Sequence, residues 1–178
     1  RFGLTHSLLA SIGAEQAVTT NYDNLYERAC TRPGHAVDDD LAVLPYGRVA
    51  EDRPWLLKLH GSLDQLDRED HIVLTRPDYM SLARERSALF GIVQALLVTK
   101  HLLFVGYSLS DEDFHQLVDE IRIAIGSSSG KDVLGTVLTT HEWPLARLWD
   151  DLLRVEQIGA QADLPNRHLQ IFLDRVAH

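Results

Sequence analysis

Three short groups of polar residues in this chain carry side chains that could do chemistry, and each directly follows an apolar segment. The groups are Thr20-Asn21-Tyr22-Asp23, His60-Gly61-Ser62 and Gly106-Tyr107-Ser108. A histidine can serve as a general base near neutral pH. An asparagine amide can hold a water or a hydroxyl group, and main-chain amides beside a glycine can hold a phosphate or a ribose. Each group could equally be a helix cap or a turn, so no single one predicts a site.

The apolar segments before the three groups have the length and composition of buried strands. One of them, Trp55–Leu59, lies between Pro54 and Gly61, and another, Leu102–Val105, ends at Gly106. The carboxyl ends of parallel strands lie at one edge of a sheet, so residues far apart in sequence can meet there. We therefore expect the three groups to share one crevice, and their joint occurrence favours a ligand site over three unrelated turns.

Helical and strand patterns alternate along most of the chain. The predicted strands are Ala17–Thr20, Trp55–His60, His71–Thr75, Leu102–Val105, Val133–Thr139 and Val155–Ile158. The predicted helices are Gly3–Ile12, Tyr22–Ala29, Asp78–Arg86, Ala88–Val98, Ser110–Ile125, Leu145–Leu152 and Arg167–Val176. We expect His35–Pro54 to be irregular, with Asp38-Asp39-Asp40 in a solvated loop. The alternation predicts an α/β, Rossmann-like fold, a mostly parallel sheet with helices on both faces.

Composition and charge disfavour several classes of function. The net charge is −9 and there is no run rich in lysine or arginine, which argues against direct binding to nucleic acid or to an anionic membrane. No apolar run is long enough to span a bilayer. The only cysteine, Cys30, excludes an internal disulfide and a thiolate zinc cluster. We therefore expect a protein of the reducing cytoplasm.

Several common catalytic arrangements are missing from the sequence. Cys30 lies within a predicted helix, so we expect it to be structural rather than a nucleophile. There is no Gly-x-Ser-x-Gly elbow, no Walker loop and no His-Glu-x-x-His metal motif. The remaining candidates are His60 as a base, Asn21 as a ligand of water or hydroxyl, and the main-chain amides near Gly106 and Ser108. No metal site is predicted.

The ordered trio of segments resembles the sirtuin-like NAD-consuming domains, in particular their bacterial non-deacetylase branch. The likeness extends from Val18 to the last predicted helix, and the strand–turn context of each segment matches as well. The segments that carry it are Thr19-Thr20-Asn21-Tyr22-Asp23, Lys58-Leu59-His60-Gly61-Ser62 and Val105-Gly106-Tyr107-Ser108-Leu109-Ser110-Asp111.

The resemblance implies cleavage of the nicotinamide–ribose bond of NAD. Asn21 would position the attacking water or the ribose hydroxyls, Asp23 would lie near the nicotinamide carboxamide, and His60 would accept a proton from a ribose hydroxyl. Gly106 and Ser108 would contact the phosphate and ribose on the adenosine side. The resemblance implies further contacts with NAD from Thr20, Tyr22, Gly61 and Tyr107. Bond cleavage through an oxocarbenium-like state needs placement and charge stabilisation more than a strong nucleophile.

Two departures from the deacylase pattern favour an NAD hydrolase without zinc. Protein-deacylating sirtuins carry a four-cysteine zinc module, which one cysteine cannot build. Thr20 and Tyr22 also replace the glutamine and isoleucine that usually flank the asparagine in deacylases. Relatives of this kind often serve in antiphage defence, joined to sensor domains or partner ATPases. We therefore expect the effector domain of a bacterial antiphage protein.

The family's Gly-rich phosphate-binding turn after the first strand has no counterpart in this sequence, because Gly3 and Gly13 have the wrong context. We expect residues 1–178 to be a single domain that is truncated before Arg1 and lacks the first strand and its loop. The unpaired sheet edge would then favour a homo-oligomer. Three alternatives stay open: a module that binds NAD or ADP-ribose without turnover, an NAD-dependent protein deacylase, and a purely structural or assembly role.

Overall fold

The computed structural model describes residues 2–65, 73, 86–109, 112–125, 133–141, 148–149, 151–159 and 164–178. The chain divides into two compact units, each with its own buried core. The first unit comprises Arg1–Glu85 and Gln170–His178, and the second comprises Arg86–Leu169.

The first unit is built on a three-stranded parallel sheet of order β1-β3-β2. Strands β1 and β2 both pair with β3, so that Gln16 and Ala42 each lie opposite Trp55. All three strands therefore end at the same edge of the sheet. The elements are α1 (Leu4–Ser11), β1 (Gln16–Thr19), α2 (Leu25–Cys30), α3 (Val37–Asp40), β2 (Ala42–Leu44), β3 (Trp55–Lys58) and a 3-10 turn (Leu63–Gln65).

The central strand β3 supplies the core of the first unit. Leu56 and Leu57 are 1% and 0% exposed, as expected for the middle strand of a parallel sheet that is covered on both faces. Leu41 and Leu173 are also buried, and Leu173 belongs to the closing helix α6 (Pro165–Ala177). A side-chain hydrogen bond of 3.4 Å from Gln170 Nε2 to Thr5 Oγ1 links that helix to α1.

The second unit contains another three-stranded parallel sheet, of order β4-β5-β6. Leu102 lies opposite Gly135, and Gly135 lies opposite Leu153, so these strands also end at a common edge. The long helices α4 (Ser87–Thr99) and α5 (Glu112–Ile125) are joined by a hydrogen bond of 2.6 Å from Gln94 Nε2 to Glu120 Oε2. The remaining elements are α4 (Ser87–Thr99), β4 (Leu102–Val105), α5 (Glu112–Ile125), β5 (Gly135–Thr139), β6 (Leu153–Gln157) and α6 (Pro165–Ala177), whose last residues belong to the first unit.

The structure confirms the α/β class, with parallel strands and helices that alternate along the chain. It corrects the interpretation of His35–Pro54 as irregular, because this segment holds α3 and β2. Asp38, Asp39 and Asp40 lie in α3 rather than in a loop. Carboxylates are favourable in the first turn of a helix, and Asp39 Oδ2 accepts the Ala36 N–H at 3.0 Å.

Two predicted helices also differ from those in the structure. The helix predicted from Tyr22 begins only at Leu25, because the Asp23 carboxylate accepts the Leu25 N–H and holds the preceding residues in a turn. Of the helix predicted over Leu145–Leu152, the described residues 148–149 and 151–152 are not in an α-helix. The predicted helix Asp78–Arg86 and the strand His71–Thr75 lie outside the described residues, except for Arg86 and Val73.

No helix in the described parts of the chain is long and apolar enough to cross a membrane. That residues 1–178 form one domain lacking its first strand stays a prediction.

Asp40 joins the end of α3 to the loop after α2, and this contact should depend on pH. Its carboxylate, whose side chain is 7% exposed, accepts the Arg32 N–H and Nε–H, both at 2.7 Å. These bonds lower the pKa of Asp40 to about 2. A lowered pKa stabilises the fold above the ordinary carboxyl pKa near 4, and the gain is lost as the pH falls towards 2.

We expect the melting temperature of the wild type to fall by several degrees more between pH 5 and pH 2 than that of Asp40→Asn, which has no carboxylate to protonate. Thermal unfolding followed by circular dichroism would measure this difference. Equal pH dependence in the two proteins would contradict the prediction.

Candidate functional site

The first two predicted groups lie side by side at the carboxyl edge of the first sheet. Thr19 is paired with Lys58, and the Leu59 N–H continues the ladder by donating to the Thr19 carbonyl at 3.0 Å. The chain segments that follow, Thr20–Asp23 and His60–Ser62, therefore leave the sheet from neighbouring strands. A crevice at this edge is where parallel α/β sheets bind ligands.

Asn21 is exposed at the start of its loop, and its backbone is held by the preceding strand. The Asn21 N–H donates to Thr19 Oγ1 at 3.1 Å, which makes a tight turn directly after β1. Asp23 Oδ1 accepts the Leu25 N–H at 3.0 Å at the start of α2. One carboxylate oxygen of Asp23 is thus used in the structural role that a residue before a helix often takes, while the amide of Asn21 is presented at the surface.

His60 is buried at the end of β3, with only 4% of its surface exposed. Its ring lies next to that of Tyr22, with a centroid separation of 6.5 Å. The backbone of Val73 connects the two, because its N–H donates to the His60 carbonyl at 3.2 Å and its carbonyl accepts the Tyr22 hydroxyl. Tyr22 and His60 are therefore fixed relative to each other by packing and by a common main-chain partner.

Gly61 and Ser62 complete the turn after His60, and both are buried. Gly61 has a φ of +106°, a backbone conformation that side chains other than that of glycine rarely adopt. The Leu63 N–H then donates to the Tyr22 carbonyl at 2.9 Å. This bond joins the turn after β3 directly to the loop after β1.

A buried ion pair lies beneath the two loops. The side chains of Lys58 and Glu27 are 0% and 5% exposed, and Lys58 Nζ donates to Glu27 Oε1 at 2.8 Å. The same ammonium group donates to the Tyr22 carbonyl at 3.3 Å and to the Asp23 carbonyl. Lys58 therefore holds the main chain of the loop that carries Asn21 and Asp23.

The described residues of the first unit line cavities at both ends of its strands. One of about 590 Å³ includes Pro54, which precedes β3, so it lies at the end away from His60. One of about 200 Å³ includes Glu27 and Ser62 and lies beside the two loops. Its volume is below the usual range for sites that enclose a drug-sized ligand.

The third predicted group lies in the second unit, at the end of β4. Gly106 has a φ of +67°, and Ser108 is exposed. The ring of Tyr107 stacks on Phe104 at 6.2 Å and meets the edge of Phe114 at 5.5 Å, so the ring is used in packing. Convergence of this group with the loops of the first unit stays a prediction.

Leu109, which follows Ser108, has an unusual backbone conformation. Its φ is +53°, it is buried, and its carbonyl lies 2.6 Å from Nε2 of His115 on α5. A left-handed conformation in a leucine is uncommon and persists only where the surroundings fix it. The turn after β4 is thus held in a defined shape, which suits the predicted contact of its amides with phosphate or ribose.

No cluster of three or more histidine, cysteine, aspartate or glutamate residues suited to a metal ion is found in the described residues. The polar groups of the predicted site are hydroxyl, amide, carboxylate and imidazole groups. These are groups that bind ribose and nicotinamide by hydrogen bonds.

Sequence reasoning missed several residues whose contacts hold the loops at this edge of the sheet. Lys58 enters the sequence analysis only within a segment of the family resemblance, and Glu27 is not singled out there, although a lysine at the end of an apolar strand is unusual. Sequence reasoning also missed β2, despite the apolar run Leu41–Leu44 between an acidic triplet and a proline. The contacts of Val73 with His60 and Tyr22 could not be predicted from its residue type, because they are made by its main chain.

Comparison with known proteins gives consistent results. Residues 15–149 match the family model described as a SIR2-like domain. The chain is 30% identical over 123 residues to the NAD(+) hydrolase ThsA of Cytobacillus dafuensis, which covers 68% of this chain and 24% of that protein. It is 31% identical over 122 residues to ThsA of Enterococcus faecium, with coverage of 66% and 24%. It is 25% identical over 122 residues to defense-associated sirtuin 2 of Bacillus subtilis, with coverage of 66% and 12%. The chain thus spans a quarter or less of the length of these relatives.

Proposed function

The chain belongs to the SIR2-like domain family, and from that premise we propose that it is the NAD-hydrolysing part of a bacterial antiphage defence protein. The observation that carries this proposal is the meeting of the Asn21 loop and the buried His60 at the ends of two paired strands. The relatives named NAD(+) hydrolase ThsA and defense-associated sirtuin support the same activity and setting.

The proposed reaction breaks the bond between the nicotinamide nitrogen and C1′ of the ribose. The bond electrons leave with the nitrogen, which gives neutral nicotinamide and an oxocarbenium-like ribose. A water oxygen then bonds to C1′ and loses its proton, so the products are ADP-ribose, nicotinamide and a proton. Because the leaving group is good, the protein has mainly to place the reactants and stabilise charge.

His60 is proposed to act as the base of this reaction. Its ring is buried against Tyr22, so its position is fixed before substrate arrives. A base held in a site with little water needs no reorganisation to accept a proton from a ribose hydroxyl. Increased electron density on that oxygen stabilises the positive charge that develops on the ribose.

The exposed amide of Asn21 is proposed to hold the attacking water or the ribose hydroxyls, and Asp23 to bind the nicotinamide carboxamide through the carboxylate oxygen that α2 does not use. Gly106 and Ser108 are proposed to contact the phosphate and ribose on the adenosine side. The further proposed NAD contacts are Thr20, Tyr22, Gly61 and the main chain of Tyr107.

The proposed substrate, cellular compartment and partners follow from the same family membership. NAD is proposed to be the substrate, with no zinc ion required. We propose a cytoplasmic homo-oligomer in which this chain is joined to a sensor domain or works with a partner ATPase. The relatives extend well beyond the matched region, which leaves room for such parts.

The decisive experiment incubates the full-length protein that contains this chain with NAD and measures nicotinamide release by chromatography. We expect Asn21→Ala to lower kcat by about 10²-fold, because a misplaced water or hydroxyl loses most of the advantage of orientation. Asn166→Ala, which makes the same chemical change at an exposed position of α6, is the matched control and should keep full activity.

Other outcomes would replace the proposal with one of two alternatives. Tight binding of NAD or ADP-ribose without any nicotinamide at high protein concentration would identify a sensor module. Nicotinamide release that requires an acylated peptide would identify a protein deacylase. Full activity in Asn21→Ala would remove Asn21 from the mechanism.

A further inference from the structure

Lys58 is the most deeply buried charged residue among those described, and its contacts converge on one loop. Its side chain is 0% exposed and its ammonium group donates to the Glu27 carboxylate and to the carbonyls of Tyr22 and Asp23. An ammonium group has three N–H donors, and three acceptors surround it here. Each N–H of the ammonium group therefore has an acceptor, and two of the three bonds fix the main chain of the loop after β1.

Lys58 lies between two proposed catalytic residues, because it is close to His60 in sequence and bonds the loop that carries Asn21. Lys58 is the last residue of β3, two residues before His60. Its bonds to Tyr22 and Asp23 cross to the loop that carries Asn21, which leaves the neighbouring strand. Glu27 belongs to α2 and so ties the same point to the helix that follows the loop. Loop, helix and strand thus share one buried charged centre.

A purely structural explanation accounts for this centre less well. Burying two charges costs desolvation free energy, and the attraction between the charges seldom exceeds that cost. Apolar residues of the same size often stabilise a fold equally well. The loop carbonyls supply a reason to keep a lysine. The Tyr22 carbonyl also accepts the Leu63 N–H, but an apolar side chain at position 58 would leave the Asp23 carbonyl without its ammonium donor. Both carbonyls belong to the main chain of the loop that carries Asn21.

We propose that Lys58 is a positioning residue for NAD hydrolysis, and that it holds the Asn21–Asp23 loop in register with His60 while Glu27 balances its charge. This inference rests on the proposed function. Lys58 touches no reacting atom in this scheme. Its effect reaches the substrate only through the loop, so loss of its N–H donors should lower kcat more than it raises KM for NAD.

The test compares two double variants of the full-length protein, Lys58→Met/Glu27→Gln and Lys58→Gln/Glu27→Gln. Both remove the charges together, so neither leaves an uncompensated ion, and they differ in whether residue 58 carries an N–H donor. We expect the methionine variant to lose about 30-fold in kcat and the glutamine variant about fivefold, with KM within about threefold of the wild type, since small displacements of positioning groups lower rates steeply.

Leu56→Ala is the matched control for damage to packing. Leu56 is 1% exposed on the same strand, and its change should lower the melting temperature but leave kcat per folded molecule within about twofold. If the methionine and glutamine variants have equal kcat, or if the methionine variant is as active as the wild type, Lys58 has no positioning role. A wild type that releases no nicotinamide would instead overturn the proposed function.

Hydrogen–deuterium exchange of the wild type tests the same inference without activity and without any variant, and it decides the matter if the double variants do not fold. We expect peptides that cover Asn21–Asn24 to exchange at least tenfold more slowly than those that cover Tyr46–Asp52, another loop at the surface of the same unit. Equally fast exchange of both segments would show that the loop is not held and would overturn the inference.

Discussion

Replacing His60 by alanine should reduce nicotinamide release by about 10³-fold, which is within the range that a positioned general base contributes. The imidazole is buried just after β3 and lies against Tyr22, so its position is fixed before substrate binds. The loss should appear in kcat, because proton removal from a ribose hydroxyl assists bond cleavage rather than binding. KM for NAD should change much less.

The measurement is the rate of nicotinamide release under single turnover with the full-length protein, which separates cleavage from product release. His60→Gln, which keeps most of the volume of the ring, should be as inactive as His60→Ala. His101→Ala is the matched control, because His101 is exposed and bonds Thr136 at the start of the second sheet. Activity above a tenth of the wild-type rate in both His60 variants would refute the assignment of the base.

Replacing Lys58 alone by methionine should lower the free energy of unfolding by about 3–5 kcal/mol. The change leaves the Glu27 carboxylate buried at 5% exposure with its cation removed, and leaves the Tyr22 and Asp23 carbonyls without the ammonium donor. An uncompensated charge in a core costs far more than the lost attraction of an exposed pair. Restoring neutrality with Glu27→Gln should recover most of the stability.

Urea denaturation followed by circular dichroism would give the free energy of unfolding for each variant. Arg122→Met is the control for a surface pair. Arg122 bonds Asp151 at 2.8 Å, with side chains 42% and 69% exposed, and pairs of this kind contribute about 0–1 kcal/mol. A loss of less than about 1 kcal/mol in Lys58→Met, or no recovery in the double variant, would contradict the buried-pair interpretation.

Much of the local structure could be predicted because it depends on neighbouring residues. The apolar run Leu102–Val105 ends at Gly106, and both the strand and the left-handed glycine are found there. The same reasoning placed His60 and Asn21 directly after strands, and the parallel pairing of β1 with β3 brings these strand ends together. Helix boundaries were less accurate, since the Asp23 side chain decided where α2 begins.

What the sequence determined by itself was the α/β class, the strands that end in polar turns, and the motifs that relate the chain to SIR2-like domains. These features are set by periodicity and by residue types over a few positions. Only the tertiary structure decided that Lys58 bonds Glu27, 31 residues away, and that β2 pairs with β3. These long-range contacts depend on which groups are buried together. The partner of a buried charge or of a short strand is therefore set by tertiary packing and not by the neighbouring residues in sequence.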